Sequence, residues 1–248
     1  MEEVYADLTA LGDYLARVQE QRLTRLAFRL EADLSLPQMH RALDMLLPMV
    51  QRHTRCIRRD RQGYAVTATL GYRTGVRLAD AWRTGDLSHL TAKEHLTLTC
   101  GEDILRQVPR ALPPEEWLPR LTGILASRVN YRCPLPGRPG YAAVVDAAGA
   151  LVRGQANCQG ISDGMYLLGS MAGLDMGYQA GWNRHGPHLW NTVRLGGAWF
   201  FLDATAALRE SGSAVLLDER ASLASGLRWE RWAETVPVGK KAGILASG

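Results

Sequence analysis

The segment HLWNTVRLGGAWFFLDAT (residues 188–205) holds two apolar runs joined by a glycine pair. A Gly–Gly pair between strand-like runs marks a two-residue hairpin turn, because both turn positions take positive φ. Such a hairpin is antiparallel, so the start of its first strand lies beside the end of its second. Counted outward from Gly196 and Gly197, His188 lies eight residues before the turn and Asp203 six residues after it. The spacing predicts an imidazole and a carboxylate close in register, with Asp203 placed where the alternating buried strand stops.

Thirty residues upstream of His188 is Cys158, in GQANCQG (residues 154–160). A cysteine kept for packing has apolar neighbours. A reactive one sits at a backbone turn and a helix start, which this polar, glycine-rich setting suggests. Ile161, Met165, Leu168 and Ala172 recur at helical spacing, and Gly173 is placed to end the helix they form. Cys158 would then occupy the first turn, where the helix dipole and free N–H groups favour a thiolate. These residues make a candidate catalytic set, with Cys158 as nucleophile, His188 as base and Asp203 orienting the imidazole. His185, in a glycine–proline turn, ranks below His188.

An oxyanion hole needs donors aimed at the developing charge. The backbone N–H of Cys158 is the natural first donor, and the Gln155 side chain is the second candidate, with an upstream aromatic as its alternative. Asn191 is expected to support the histidine side. Trp190 is expected to shield the His–Asp pair from water, and Trp182 and Trp199 to serve as core and cleft-wall aromatics. A zinc site built from Cys158, His185 and His188 is the competing use of these residue types.

The order Cys, His, Asp on helix, strand and strand resembles the transglutaminase-like superfamily, a circularly rearranged relative of the papain-type cysteine peptidases. GALVRGQANCQGISDGMYLLGSMAG (149–173), GYQAGW (177–182) and the hairpin segment carry the resemblance. A looser helical lead-in from about residue 88, including ILASRVNYR (124–132), fits the bacterial members. The resemblance implies acyl transfer through a thioester on Cys158, with no metal and no cofactor. Attack by water makes such a protein a cysteine peptidase or amidase acting on a protein, a peptide or another amide, which is the favoured expectation. Attack by an amine makes it a transglutaminase or amide-forming acyltransferase, and a binding module on the same fold without turnover is a third possibility. One departure concerns the acyl-binding site. Family members usually carry an aromatic and then alanine after Cys-x-Gly, where this chain has Ile161, Ser162 and Asp163.

The expected fold is α+β: a papain-like, transglutaminase-type core with a nucleophile helix packed on an antiparallel sheet, covering 85–248. A small α/β structural or recognition unit precedes it over 1–84, with RTGD (83–86) as the boundary. In that unit Val4, Leu8, Leu11, Leu15 and Val18 predict a first helix, and RLAFRLEA predicts a half-buried strand. Ser35 with Gln38 makes a capping box for a second helix that carries Met39, Leu43, Leu46, Leu47 and Val50 inward. YAVTATL and VRLADAW read as further short strands. Beyond the boundary, Thr91 with Glu94 caps another helix, and LPPEEWLPRL opens the next, with Trp117, Leu121, Ile124 and Leu125 inward. CPLPGRPG (133–140) is a stiff loop, and YAAVVDAAGALV a short helix feeding the cysteine.

Composition narrows the class. The 248 residues are 46% hydrophobic and 22% charged, ordinary for a globular protein. No apolar run reaches the ~18 residues that span a bilayer. The acidic, amphipathic start MEEVYADLTALGDYL is unlike a secretory signal, so a cytoplasmic location without membrane attachment is expected. The net charge of +4 is spread out, and its densest cluster, RHTRCIRRDR (52–61), reads as strand-edge or surface arginines, not as a nucleic-acid face. Cys56, Cys100, Cys133 and Cys158 have no CxxC spacing and are expected to be free thiols, with Cys56 and Cys100 as packing residues. His40, His53, His89 and His95 fall on polar or mixed helix faces and read as surface residues.

Overall fold

A computed structural model describes residues 3–109, 111–209 and 216–235. The end of the expected 85–248 unit therefore lies outside the described residues. The chain opens with β1 (Glu3–Tyr5), α1 (Leu8–Glu20) and β2 (Arg25–Leu30). Asp7 caps α1 by accepting from the N–H groups of Thr9 and Ala10, and Leu11, Leu15 and Val18 are its buried stripe. Next come α2 (Leu36–Leu46), β3 (Val50–Asp60) and β4 (Gly63–Tyr72). The Ser35/Gln38 capping box opens α2 as the spacing predicts. These strands form a sheet in the order β1-β2-β4-β3, with β1 and β2 parallel and the other pairs antiparallel.

The arginine-rich run is β3, at the edge of this sheet. Its cations meet nearby carboxylates: Arg55 with Asp44 at 3.1 Å and Arg59 with Asp33 at 3.3 Å. Asp60, at the end of the strand, is held by Arg29 of β2 at 2.8 Å.

VRLADAW is helical, not a strand. It lies in α3 (Thr74–Thr84), which ends at a left-handed Gly85. The alternation of Val76 and Leu78 suits a strand, but Ala79 and Ala81 are buried as well, and the segment packs along the nucleophile helix. Tertiary packing decides here what an ambiguous seven-residue pattern cannot.

After α4 (Ala92–Leu105), with its Thr91/Glu94 capping box, come α5 (Pro114–Arg128) and β5 (Asn130–Tyr131). The expected helix over YAAVVDAAGALV is broken into α6 (Tyr141–Val144) and α7 (Ala147–Leu151). The break occurs because Asp146 leaves the helix to cap α7, its carboxylate accepting from the Gly149 N–H at 2.8 Å. Then follow β6 (Gln155–Ala156), which pairs with β5, and α8 (Cys158–Met171).

The second sheet contains β7 (Asp175–Asn183), β8 (Gly186–Leu195) and β9 (Ala198–Leu202). After α9 (Ala204–Arg209), the short β10 (Leu216–Leu217) completes it, and α10 (Glu219–Ala224) follows. The order is β10-β9-β8-β7, antiparallel throughout. Gly196 and Gly197 form the hairpin turn, with φ of 54° and 82°, and Leu195 pairs with Ala198 across it. Helix α8 lies against β7 and β8, so the architecture is α+β with a cysteine-bearing helix on an antiparallel sheet.

One apolar cluster joins the two parts of the chain. It runs from Leu11, Phe28 and Val66 of the first sheet and its helices, through Val76 and Leu78 of α3, to Leu167 of α8 and Val193 of β8.

Candidate active site

Helix α8 starts where Asn157 takes an extended conformation and accepts from the N–H groups of Gln159 and Gly160, at 3.0 and 3.2 Å. This cap leaves out the N–H of Cys158, the first residue of the helix, which stays available to another acceptor. Gly160 allows the start of the helix to sit close against the preceding chain, because a Cβ there would collide with the Val144 carbonyl oxygen.

The register of the hairpin places the other two groups. Asn191 and Leu202 form the last β8–β9 pair, so Asp203 emerges one residue past β9, on the side where His188 begins its buried run. His188 Nε2 lies 2.9 Å from Asp203 Oδ2, and both side chains are almost fully buried. The other Asp203 oxygen accepts from the Thr205 N–H at 3.0 Å, which fixes the carboxylate. With Nε2 committed to Asp203, Nδ1 is the ring nitrogen left for the Cys158 thiol.

Burial pushes the Cys158 thiol up, but the hydrogen bond and charge of His188, together with the Leu189 N–H, bring it below the ordinary thiol value. Burial pulls the His188 ring down, but Asp203 and then Cys158 lift it to about 9. Both shifts favour the thiolate–imidazolium pair over two neutral groups.

Trp190 is fully buried and stacks on His188, with ring centroids 5.7 Å apart and planes at 25°. Phe201 and Trp229 meet Trp190 edge-on, forming an aromatic wall behind the imidazole. Asn191 does not touch the histidine. It points to the opposite face of β8 and donates to the carbonyls of Ser162 and Gly177, each at 3.1 Å, tying the sheet to α8. The alternation of a strand places it there, three residues from His188.

Gln155 also differs from expectation. It is exposed on β6, opposite Asn130, while Ala156 takes the buried side. The side-chain amide that lines the cleft beside the cysteine is Gln159, whose Nε2 donates to the Tyr141 hydroxyl at 3.2 Å. His185 is exposed in the β7–β8 turn, far from a role beside the thiol. Among the described residues no group of three or more His, Cys, Asp or Glu is arranged to hold a metal.

The unusual residues after Cys-x-Gly do not line the cleft. Ile161 is fully buried, and the Ser162 hydroxyl donates to the Leu189 carbonyl at 2.8 Å. Asp163, fully buried, accepts from the Gly75 N–H at 3.0 Å, the Ala147 N–H at 2.8 Å and the Tyr178 hydroxyl at 2.8 Å. These three residues anchor the helix and leave the cleft lining to others.

Cys158 and His188 open into a cleft of about 790 Å³. One wall comes from β7 and β8, through Ala180, Trp182 and Pro187. The facing wall comes from α2 and β3, through His40, Arg41, Asp44 and His53, with Arg73 and Tyr141 beside them. His53 is thus on a strand facing the cleft, not on a surface helix, and His40 is half-buried. Cys56, expected to pack, is exposed on β3, while Cys100 is half-buried on α4. No sequence pattern singled out Arg73; a single arginine before a helix becomes noticeable only once the cleft is formed.

No family model matches the chain, and no curated protein does. Among solved structures, the chain is similar to a TGase at a TM-score of 0.44 and 14% identity, over 77% of this chain and 52% of the TGase. It is also similar to a candidate cysteine protease from Cytophaga hutchinsonii, at a TM-score of 0.38 and 10% identity, over 68% of each chain. The chain spans about half the length of that TGase.

Proposed function

We propose that this protein is a cysteine-nucleophile acyl-transfer enzyme that hydrolyses an amide or peptide bond. The observation that supports this reading is the meeting of the Cys158 thiol and the His188 ring at one cleft, with the Asp203 carboxylate 2.9 Å from the far nitrogen of the ring. The Cys158 thiolate attacks the carbonyl carbon, and the oxyanion that forms takes up the free Cys158 N–H, with the cleft-lining Tyr141 hydroxyl as the side-chain donor. The C–N bond breaks as His188 gives its proton to the leaving amine. Water then attacks the thioester while His188 accepts its proton, and the C–S bond breaks to release a carboxylic acid and restore the thiolate–imidazolium pair. Asp203 holds the imidazole in the required tautomer throughout.

No metal or cofactor takes part in this scheme. Hydrolysis is preferred to transfer onto an amine, although the catalytic groups form the same thioester in both reactions. The test is peptide-library profiling of the wild type against Cys158→Ala, with and without a primary amine. Cleaved products with free carboxylates, absent in the variant, are expected. Amine adducts as the main product would make the protein an acyltransferase, and no product together with no fast-reacting thiol would leave a binding module.

A further inference from the structure

Arg73 is 6% exposed, yet it lines the cleft that holds Cys158. Its Nε donates to the Pro48 carbonyl at 2.6 Å, and its guanidinium lies over the Tyr178 ring, 5.6 Å from the centroid. Nη1 reaches the Gln159 side-chain oxygen at 3.5 Å, one residue along from the nucleophile. Among the described residues the side-chain partners of Arg73 are the Pro48 carbonyl, the Gln159 side chain and the Tyr178 ring, with no carboxylate among them and none on Nη2. The neighbouring acid, Asp163, feels the Arg73 charge but does not contact it, because its oxygens are taken by Gly75, Ala147 and Tyr178.

Asp163 offsets part of the Arg73 charge from a distance, and the Nη2 donors stay open to an anion that enters the cleft. The other charges on the cleft wall do not supply one. Asp44 is the carboxylate among the cleft-lining residues described, and it is engaged by Arg55 at 3.1 Å. Arg41 adds a second cation to the same wall.

We propose that Arg73 is a specificity-determining residue that binds a carboxylate on the acyl donor, so that the substrate carries an anionic group close to the reacting carbonyl. Pro48 and Tyr178 hold the guanidinium in place, and its remaining N–H groups present a planar fork suited to a carboxylate. This inference rests on the reading of Cys158 as nucleophile, and the two can be tested separately.

The probes are iodoacetate and iodoacetamide, which alkylate the same thiol and differ in one negative charge. The imidazolium of His188 itself favours iodoacetate, so the measured quantity is how the rate ratio changes when Arg73 alone is altered. The iodoacetate-to-iodoacetamide ratio at Cys158 is expected to fall about tenfold or more in Arg73→Gln and to be largely kept in Arg73→Lys, in line with loss of a charge-assisted contact. A ratio in folded Arg73→Gln equal to that of wild type overturns the proposal. An independent measurement needs only the wild type: glutarate should protect Cys158 from iodoacetamide at concentrations where glutaramide does not. Equal protection by the two also overturns it. Should wild-type Cys158 react with iodoacetamide no faster than a free thiol, the nucleophile reading fails, and the carboxylate subsite fails with it.

Discussion

Cys158 is subject to opposed influences. Burial disfavours its charge, whereas His188 and the Leu189 N–H favour it, and the second set prevails. The consequence is a thiol that should alkylate rapidly near pH 6, where an ordinary thiol is almost wholly protonated. Cys158→Ala is expected to abolish the rapid phase, while Cys56→Ser, Cys100→Ser and Cys133→Ser leave it intact; mass mapping of the labelled site checks this. His188 titrates at about 9, raised above its ordinary 6.5, so its contribution to stability is full below 6.5 and is lost as pH rises through about 9. Turnover should decline over the same alkaline range, because the imidazolium that protonates the leaving amine disappears. His188→Ala should lower turnover by ~10²–10⁴-fold, and His185→Ala far less. Asp203 is the largest of the influences lifting the ring. Asp203→Asn should therefore move the alkaline limb to lower pH with the circular-dichroism spectrum unchanged. An unmoved limb would reduce Asp203 to a turn cap and leave a Cys–His dyad.

Helix α8 carries both the proposed nucleophile and its own anchorage. Its first turn is held by the Asn157 cap, and its second by Asp163, which links α8 to α3, α7 and β7. Replacing a cap of this kind by alanine typically costs about 1 kcal/mol. Asn157→Ala should also disturb the position of the Cys158 N–H, so activity should fall by more than stability alone accounts for. Asp163→Ala is the more severe change. It strands two backbone N–H groups and a tyrosine hydroxyl in the interior, at about 1–3 kcal/mol for each donor left without a partner. Denaturant unfolding should show that loss, and a variant as stable as wild type would mean that α8 is anchored by its apolar face alone.

For the whole molecule, the expected boundary at 84/85 falls at the C-terminal end of α3, at Gly85. Helix α3 nevertheless packs on α8, and the apolar cluster is continuous across that point. We expect the two parts to unfold as one cooperative unit. Exchange of the β8–β9 amides and of the β2–β4 amides should give coincident transitions. Two separated transitions would restore an independent N-terminal unit. The same packing gives 1–84 a place in the site, since α2, β3 and Arg73 form the wall opposite His188.

Features that depend on neighbours along the chain are legible in the residues alone. The Ser35/Gln38 and Thr91/Glu94 capping boxes, the Gly196–Gly197 turn and the helix start at Cys158 all follow from local hydrogen bonding and allowed φ. The His188–Asp203 pairing was legible for the same reason, because a two-residue turn sets the register of both strands. Tertiary structure decided the rest. VRLADAW became a helix because α8 offered it a packing surface, Asn191 and Gln155 turned away from the thiol because of strand alternation and pairing, and the α6–α7 break followed the Asp146 cap. Arg73, His53 and Tyr141 come from separate stretches of chain, and the packing of α2 on β7 and of α3 on α8 brings them to one cleft. No local pattern encodes such a meeting, since it depends on apolar faces far apart in sequence finding a common core.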